Sequence, residues 1–263
     1  MNKKVLNWFL NSGSSYDSAF SAVMSRWTAL GYTHPSAAVL TSLNTLVTDL
    51  KGYGVWTGFD ALWVMMLNDA SLVATTGAIN YISPSNNQMT FPVAPSYTTS
   101  GIKGNATDQY ALTNFNPSNG TNYTLNNASF GYYQYVGGSG TNYTFGHAAG
   151  SNDVMLNATS SAAAVRINSG NLAAGNPATN NIAEYYAVDR QDSTNVKVFN
   201  GTSVHSTTAT SISRQNENFT ILRASFGYSS AGISMAFVGR SFSTTEHANI
   251  RTAILAHKSR LGL

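Results

Sequence analysis

The first 80 residues carry apolar side chains at the spacing of α-helices. Apolar positions that recur every three or four residues share one face of a helix, and three such stripes occur here. Their members are Tyr16, Phe20, Val23, Trp27 and Leu30; Val39, Leu43, Leu46, Val47 and Leu50; and Phe59, Leu62, Trp63 and Met66. Helices with apolar faces of this size are not stable alone in water, so we expect them to pack on one another or on a partner.

Local signals set the ends of the first two predicted helices. Ser14 and Ser15 are candidate N-caps of the first helix, and Gly31 follows it. The second helix is expected to open just after Pro35 and to close at Gly52.

A stretch rich in proline, Ser, Asn and Gly follows these helices. Because proline cannot donate to a sheet ladder, residues 83–120 are expected to form an extended connector with the first edge strands. The prolines are Pro84, Pro92, Pro95 and Pro117.

From about residue 121 the apolar period changes to two, which is typical of strands. Phe130, Tyr132 and Val136 share one face of the clearest strand, and Asn200-Gly201 predicts a hairpin with a type I′ turn. Many short strands with closely spaced turns indicate an antiparallel sandwich or barrel. Further predicted strands cover 141–145, 153–158, 162–168, 182–190, 194–199, 203–208, 219–226 and 232–239.

The chain is expected to end in a helix over 243–260. Ser243 and Glu246 form a capping box, in which each side chain bonds the backbone of the other residue. The residues that then share one face are Ile250, Ile254, His257 and Leu261. The predicted organisation is a helical docking and assembly region over 1–80, an extended connector with the first strands over 81–120, and a β-sandwich with this closing helix over 121–263.

The composition suits a β-rich chain. Apolar residues make up 43% of the 263 residues, whereas Asp, Glu, Lys and Arg together make up 10%, against about 25% in an ordinary soluble domain. Asn, Ser, Thr and Gly supply the polarity, and they favour tight turns. The net charge of +3 and the absence of a basic stripe argue against a nucleic-acid partner.

Compartment signals are few. The chain has no cysteine, and the apolar run after Lys3 and Lys4 is broken by Asn7, so we expect synthesis in the cytoplasm without a secretion signal. No segment approaches the ~20 apolar residues that span a bilayer. Eight Asn-x-Ser/Thr triplets occur, and we interpret them as a by-product of composition and not as glycosylation sites; they begin at Asn105, Asn119, Asn122, Asn127, Asn142, Asn157, Asn200 and Asn218.

Groups that could carry out catalysis are scarce. The 11 carboxylates are scattered along the chain, and a glycosidase needs two that face each other at about 5–10 Å. Glu184 and Asp189 lie five residues apart on one predicted strand, so we expect their side chains to point to opposite faces. We therefore expect no catalytic residues and a protein that is not an enzyme; a capsule depolymerase is the less favoured alternative.

Metal ligands are also sparse. The five histidines show no His-x-x-x-His spacing, so we expect them to pack or to lie on the surface. Calcium favours hard oxygen ligands, and Asp108, Asp153 and Asp192 are the candidates. Isolated Asp residues in Asn-rich loops more often stabilise turns, so the expected cofactor set is empty.

Two sets of aromatic residues are candidates for binding. The first crowds one predicted hairpin, where aromatic faces beside amides would suit sugar rings, although alternate tyrosines on a strand commonly pack a half-buried face. It consists of Tyr132, Tyr133, Tyr135 and Tyr143. The second set is expected to serve assembly and consists of Phe20, Trp27, Trp56 and Trp63.

Two segments resemble a known group of proteins. Residues 45–57, Thr-Leu-Val-Thr-Asp-Leu-Lys-Gly-Tyr-Gly-Val-Trp-Thr, resemble the N-terminal helical signature of phage tail and virion proteins in which a concanavalin A-like (laminin G-like) sandwich follows. Residues 233–254 resemble the last strand and closing helix of that group, and Asn200-Gly201 stands where laminin G-like domains place a hairpin. The resemblance covers roughly residues 40–263, and its motifs carry no chemistry.

The resemblance implies a concanavalin A-like jelly roll on the surface of a bacteriophage particle, as a fibre, a spike or an appendage of head or tail. The partners it implies are other virion proteins, with further copies of this chain, as in a trimer, and host surface polysaccharide as additional expectations. A soluble carbohydrate-binding lectin is the second hypothesis.

Overall fold

The computed structural model describes residues 16–138, 144–147, 154–156, 165–170, 182–224 and 227–263. Within these ranges the protein is mainly β, with antiparallel sheets and three α-helices. The helices are α1 (Ser18–Ala29), α2 (Ala37–Gly52) and α3 (Thr244–Arg260). The strands are β1 (Phe59–Val64), β2 (Thr90–Val93), β3 (Ser96–Thr98), β4 (Gly101–Lys103), β5 (Tyr110–Leu112), β6 (Ala128–Val136), β7 (Phe145–His147), β8 (Val154–Leu156), β9 (Val165–Arg166), β10 (Glu184–Arg190), β11 (Asn195–Asn200), β12 (Ser203–Thr208), β13 (Thr220–Ile221), β14 (Arg223–Ala224), β15 (Gly227–Tyr228) and β16 (Gly232–Gly239).

Short polar side chains fix where the helices begin. Asp17 caps α1, whereas the serine pair expected to do so lies outside the described residues. Ser36 caps α2, and the capping box of Ser243 and Glu246 at α3 is confirmed in both directions. None of the described helices combines the length and apolar character that crossing a bilayer requires.

Two sheets of the described residues stack as a sandwich. The larger has eight strands in the order β12-β11-β10-β6-β16-β4-β3, with β1 paired to β16 beside this path. The smaller has six strands in the order β2-β5-β13-β7-β8-β9. Strands β14 and β15 form a separate two-stranded ribbon.

The larger sheet is covered on both faces and separates two hydrophobic cores. Tyr132 and Tyr186 project into a core that also contains residues of the smaller sheet. Tyr133 and Tyr185, their neighbours along the same strands, project into a core shared with the three helices. Because successive strand residues point to opposite faces, the layers run helices, larger sheet, smaller sheet.

The prediction of a third helix over 59–66 is wrong, because its first six residues form β1. Ala61 and Trp63 belong to the core between the sheets, and Leu62 and Val64 belong to the core under the helices. A strand buried on both faces is apolar at nearly every position, so a spacing of three and four arises in it by coincidence. β1 therefore connects the two N-terminal helices to the larger sheet of the sandwich.

The expected connector contributes to both sheets. Its strands β2 and β5 belong to the smaller sheet, and β3 and β4 belong to the larger one. Pro92 lies in β2, at the edge of its sheet, where a residue without an N–H group does not break a ladder.

The predicted hairpin over residues 196–204 is present, but its turn differs from the expected type. Asn200 pairs with Ser203, so the two central residues are Gly201 and Thr202. Gly201 has a φ of 60°, and Asn200 is not among the residues with positive φ. A glycine at the first central position is typical of a type II′ turn, whereas type I′ requires positive φ at both.

The aromatic residues expected to serve assembly are mostly consumed inside the chain. Phe20, Trp27 and Trp63 are wholly buried. Trp56 is half-buried, with the ammonium of Lys51 5.6 Å from its ring centroid. The structure corrects the assignment for the three buried residues, because their side chains already fill this protein's own cores.

At Gly131, β6 lies very close to the neighbouring strand β10. A Cβ there would lie 2.6 Å from the carbonyl oxygen of Tyr186 and 2.7 Å from Cβ of Ala187. We expect Gly131→Ala to lower the free energy of unfolding by about 1–3 kcal/mol, because overpacking forces the backbone to shift. Gly52→Ala is the matched control, since nothing lies within 4 Å of a Cβ at that position. Equal urea-unfolding midpoints for the two variants would contradict this expectation.

His257 of α3 is buried and joins the helix to two distant segments. Its Nε2 lies 3.1 Å from the carbonyl oxygen of Met66, which only accepts, so Nε2 donates. Its Nδ1 lies 2.8 Å from the hydroxyl oxygen of Ser42 and accepts. Burial lowers the pKa of His257 to about 4. The folded protein therefore holds this imidazole neutral.

The pH dependence of stability follows from that pKa. An unfolded histidine titrates near pH 6.5, so the unfolded chain takes up the proton first as the pH falls. We expect the free energy of unfolding to drop by roughly 3 kcal/mol between pH 7 and pH 4 on account of His257. In His257→Gln this part of the pH dependence should disappear, whereas the control His205→Gln should keep it. Identical urea-unfolding profiles for His257→Gln and the parent protein between pH 7 and pH 4 would contradict the assignment.

Candidate functional site

A cleft of about 360 Å³ lies on the smaller sheet, on the face that points away from the larger one. Ala111 of β5 and Ile221 of β13 belong to the core between the sheets. Their neighbours Tyr110 and Thr220 therefore point to the outer face and line the cleft.

An irregular backbone conformation at Leu222 brings a positively charged side chain to this cleft. Leu222 has a φ of 69° and stands between β13 and β14, so the strand predicted over 219–226 is split in two. The Leu222 N–H donates to the carbonyl oxygen of Thr144 at 2.7 Å, and the Ser229 N–H donates to the Leu222 carbonyl oxygen at 2.8 Å. The chain thereby leaves the smaller sheet and continues into the ribbon of β14 and β15. This redirection places Arg223 in the cleft wall.

Arg223 contacts the rings of two tyrosines. Its guanidinium carbon lies 4.9 Å from the ring centroid of Tyr110 and 5.5 Å from that of Tyr228. The two ring centroids are 6.1 Å apart with an interplanar angle of 56°. The three groups thus form a triangle in which both rings stabilise the cation.

The remaining cleft wall combines the apolar Leu112 and Ala224 with polar side chains, and it carries one carboxylate. Glu217 is exposed, and Asn218 and His147 are partly exposed. The Nδ1 atom of His147 lies 3.0 Å from the amide nitrogen of Gln215. The cleft therefore presents one fixed cation, one carboxylate, one imidazole and an amide. Such a set can hold hydroxyl and anionic groups of a ligand.

The tyrosines predicted as a glycan platform do not form one. Tyr132 is wholly buried and Tyr133 is 2% exposed, because β6 is a central strand of a sheet that is covered on both faces. Tyr135 is half-buried, and its hydroxyl accepts a hydrogen bond from Thr98 at 3.0 Å. Tyr143 lies outside the described residues. The structure corrects the assignment for Tyr132 and Tyr133.

The candidate calcium ligands serve turns where the structure describes them. Asp108 accepts from the side-chain amide of Asn105 at 2.8 Å. Asp192 accepts from the backbone N–H of Thr194 and from that of Asn195, and these bonds hold the pKa of its carboxyl well below the usual range. Asp153 lies outside the described ranges, and within them no group of three or more His, Asp or Glu side chains is arranged to hold a metal ion.

The two carboxylates of β10 were expected to diverge, and both reach α3. Glu184 forms a bidentate ion pair with Arg251, with distances of 2.9 and 2.7 Å. Asp189 lies 3.1 Å from Nε2 of His247, one helical turn before Arg251. Glu184 lies at the first position of its strand, where its side chain can turn towards the helix. The expectation of opposite faces is therefore corrected at that residue.

Asp189 is the centre of a buried hydrogen-bond cluster. It accepts from the hydroxyl of Ser241 and from the backbone N–H of Phe242, each at 2.6 Å. Tyr185 lies 2.6 Å from Nδ1 of His247, so the neutral imidazole accepts from the tyrosine and donates to the aspartate. Burial lowers the pKa of His247, which keeps the ring neutral. Both ring nitrogens are engaged, and this cluster holds α3 on the sheet.

The residues of the cleft are not among those predicted from the sequence. Tyr110 and Arg223 are far apart in the chain, and neither belongs to a motif. Leu222, which turns Arg223 towards the cleft, carries no sequence signal for positive φ, since Gly and Asn are the usual residues there. Only the pairing of β5 with β13 brings these positions together.

No protein-family model matches the chain, and no curated protein matches its sequence. Solved structures do match its fold. A mutant Trypanosoma rangeli sialidase displaying trans-sialidase activity has a TM-score of 0.52 and 9% identity, over 83% of this chain and 39% of the sialidase. T. rangeli sialidase in complex with sialic acid has a TM-score of 0.52 and 8% identity, over 82% and 39%. Domain 4 of AbnA, a GH43 extracellular arabinanase from Geobacillus stearothermophilus, in complex with arabinotriose, has a TM-score of 0.47 and 11% identity, over 74% of this chain and 98% of that domain.

At this identity the likeness to the sialidases concerns the fold, and the chain spans 39% of their length. The prediction that the protein is not an enzyme is contradicted by these neighbours. Those with a TM-score above 0.5 include the two T. rangeli sialidase structures. That prediction therefore does not stand.

Asp189→Asn tests the buried cluster. Asparagine has nearly the same volume as aspartate. Its amide nitrogen would, however, face groups that donate hydrogen bonds to Asp189, and an amide N–H cannot accept them. We expect the free energy of unfolding to fall by at least about 2 kcal/mol, since charged hydrogen bonds are lost and a buried donor is left unpaired. Asp108→Asn, on an exposed turn, is the control and should change stability little. Equal thermal midpoints for the two variants would show that the cluster does not hold α3 in place.

Proposed function

We propose that this protein binds carbohydrate through the cleft on its smaller sheet. The observation that carries the proposal is the contact of Arg223 with Tyr110 in the wall of one cleft, where the ring of Tyr228 also contacts the Arg223 guanidinium. Binding sites are concave and combine apolar rings with a few placed polar groups, which is the make-up of this cleft.

The chemistry of the wall fits a sugar better than an apolar ligand. Tyrosine rings offer flat surfaces for the C–H groups of a sugar ring, and they lose little conformational entropy on binding. Glu217 and Asn218 supply an acceptor and an amide for hydroxyl groups. With a volume of about 360 Å³, the cleft is at the small end of ligand pockets, which suits one or two sugar units.

The proposal extends to the finer fold and to the biological setting. We propose that the two sheets form a concanavalin A-like jelly roll and that the protein belongs to the surface of a phage particle. Support comes from the resemblance of residues 45–57 and 233–254 to phage virion proteins. In that setting the bound carbohydrate is a host surface polysaccharide, and the neighbours of this chain are other virion proteins and further copies of itself.

Tyr110→Ala tests the proposed function. Removing the ring takes away a stacking surface and one wall of the Arg223 triangle, so we expect glycan affinity to fall about tenfold or more. Tyr53→Ala is the matched control, because Tyr53 is 40% exposed at the end of α2, on the helical layer. A glycan array followed by calorimetry on the hits measures both variants. The proposal fails when the parent protein binds no glycan, or when both variants bind with the parent's affinity.

A further inference from the structure

We infer that the sugar recognised by this cleft carries a carboxylate and that Arg223 binds that carboxylate. The inference rests on the proposed function and narrows its ligand class to acidic polysaccharides, those that contain uronic acids or related acidic sugars.

Arg223 is held in position but is not paired with an anion in the part of the chain that the structure describes. The rings of Tyr110 and Tyr228 fix its guanidinium by cation–π contacts at 4.9 and 5.5 Å. Among the described residues, no carboxylate lies within ion-pair distance of it, in contrast to Arg240 and Arg251, which each hold a glutamate. Its N–H donors likewise have no acceptor within that part of the chain. A pre-oriented guanidinium fork with free donors is suited to bind a planar carboxylate through two hydrogen bonds.

The charge balance of the cleft favours a monoanion. Arg223 and Glu217 together give a net charge near zero, so a phosphate monoester with nearly two negative charges would face repulsion from Glu217. A sugar carboxylate carries a single charge and leaves its hydroxyl groups free to donate to Glu217. One residue thus selects the anionic group, and the other orients the ring that bears it.

The backbone conformation next to Arg223 supports a role for Arg223 in binding. Leu222 keeps a φ of 69°, which is unfavourable for a side chain with a Cβ and persists only when its surroundings hold it. The bonds from Leu222 to Thr144 and from Ser229 to Leu222 supply that constraint. The redirected chain places Arg223 in the cleft wall. A strand that continued without this change of direction would place Arg223 further along the sheet.

The test compares acidic bacterial polysaccharides with the same polymers after chemical reduction of their carboxyl groups to alcohols. We expect the parent protein to bind at least one acidic polymer and to lose about tenfold to a hundredfold in affinity for its reduced form. Arg223→Gln should bind the acidic and the reduced forms about equally. Arg223→Lys keeps the charge without the fork and should fall between the two.

Lys197→Gln is the control, since it removes one positive charge from β11, which belongs to the larger sheet and not to the sheet that carries the cleft. Its preference for the acidic form should equal that of the parent protein. Circular dichroism of each variant confirms that it is folded. Equal binding of acidic and reduced polymers by the parent protein overturns the carboxylate inference and leaves carbohydrate binding in place. Absence of binding to every polymer overturns the proposed function itself.

Discussion

Two adjacent residues of opposite charge on the central strand β10 hold the layers of this protein together. Asp189 and Arg190 are both wholly buried, and they point to opposite faces of the larger sheet. Asp189 accepts hydrogen bonds from the segment that leads into α3. Arg190 donates to the carbonyl oxygens of Ile167, Asp192 and Ala209 at one end of the sandwich. A buried charge without partners costs several kcal/mol, so each residue requires its own layer to be in place.

The location of the cleft follows from this layered arrangement. Helices cover one face of the larger sheet, and the smaller sheet covers the other. The aromatic residues on the central strands of the larger sheet are therefore buried and cannot contact a ligand. The cleft lies on the face of the smaller sheet that points away from the larger one. Its outer residues can be polar and charged because they do not contribute to the core between the sheets. The proposed carbohydrate site therefore lies on the smaller sheet and not on the larger one.

The accuracy of the sequence predictions depends on how local the underlying interaction is. The second helix and the capping box of Ser243 and Glu246 are confirmed, since each is encoded within a few residues. The spacing around Phe59 predicts a helix, because the strand it forms is buried on both faces and lacks the alternation that identifies a half-buried strand. Tyr132 and Tyr133 are buried for the same reason, so they cannot form the predicted glycan platform.

The sequence by itself determined the mainly β character of the chain, the terminal helix and the position of the hairpin near Gly201. These features depend on periodicity, caps and turn residues, which act over short distances along the chain. Only the tertiary structure decided which strands are central and which residues line the cleft. Tyr110 and Arg223 lie far apart in the chain and meet because β5 pairs with β13 and Leu222 redirects the strand that follows. Such pairings depend on the order of strands across a whole sheet, and no short segment encodes that order.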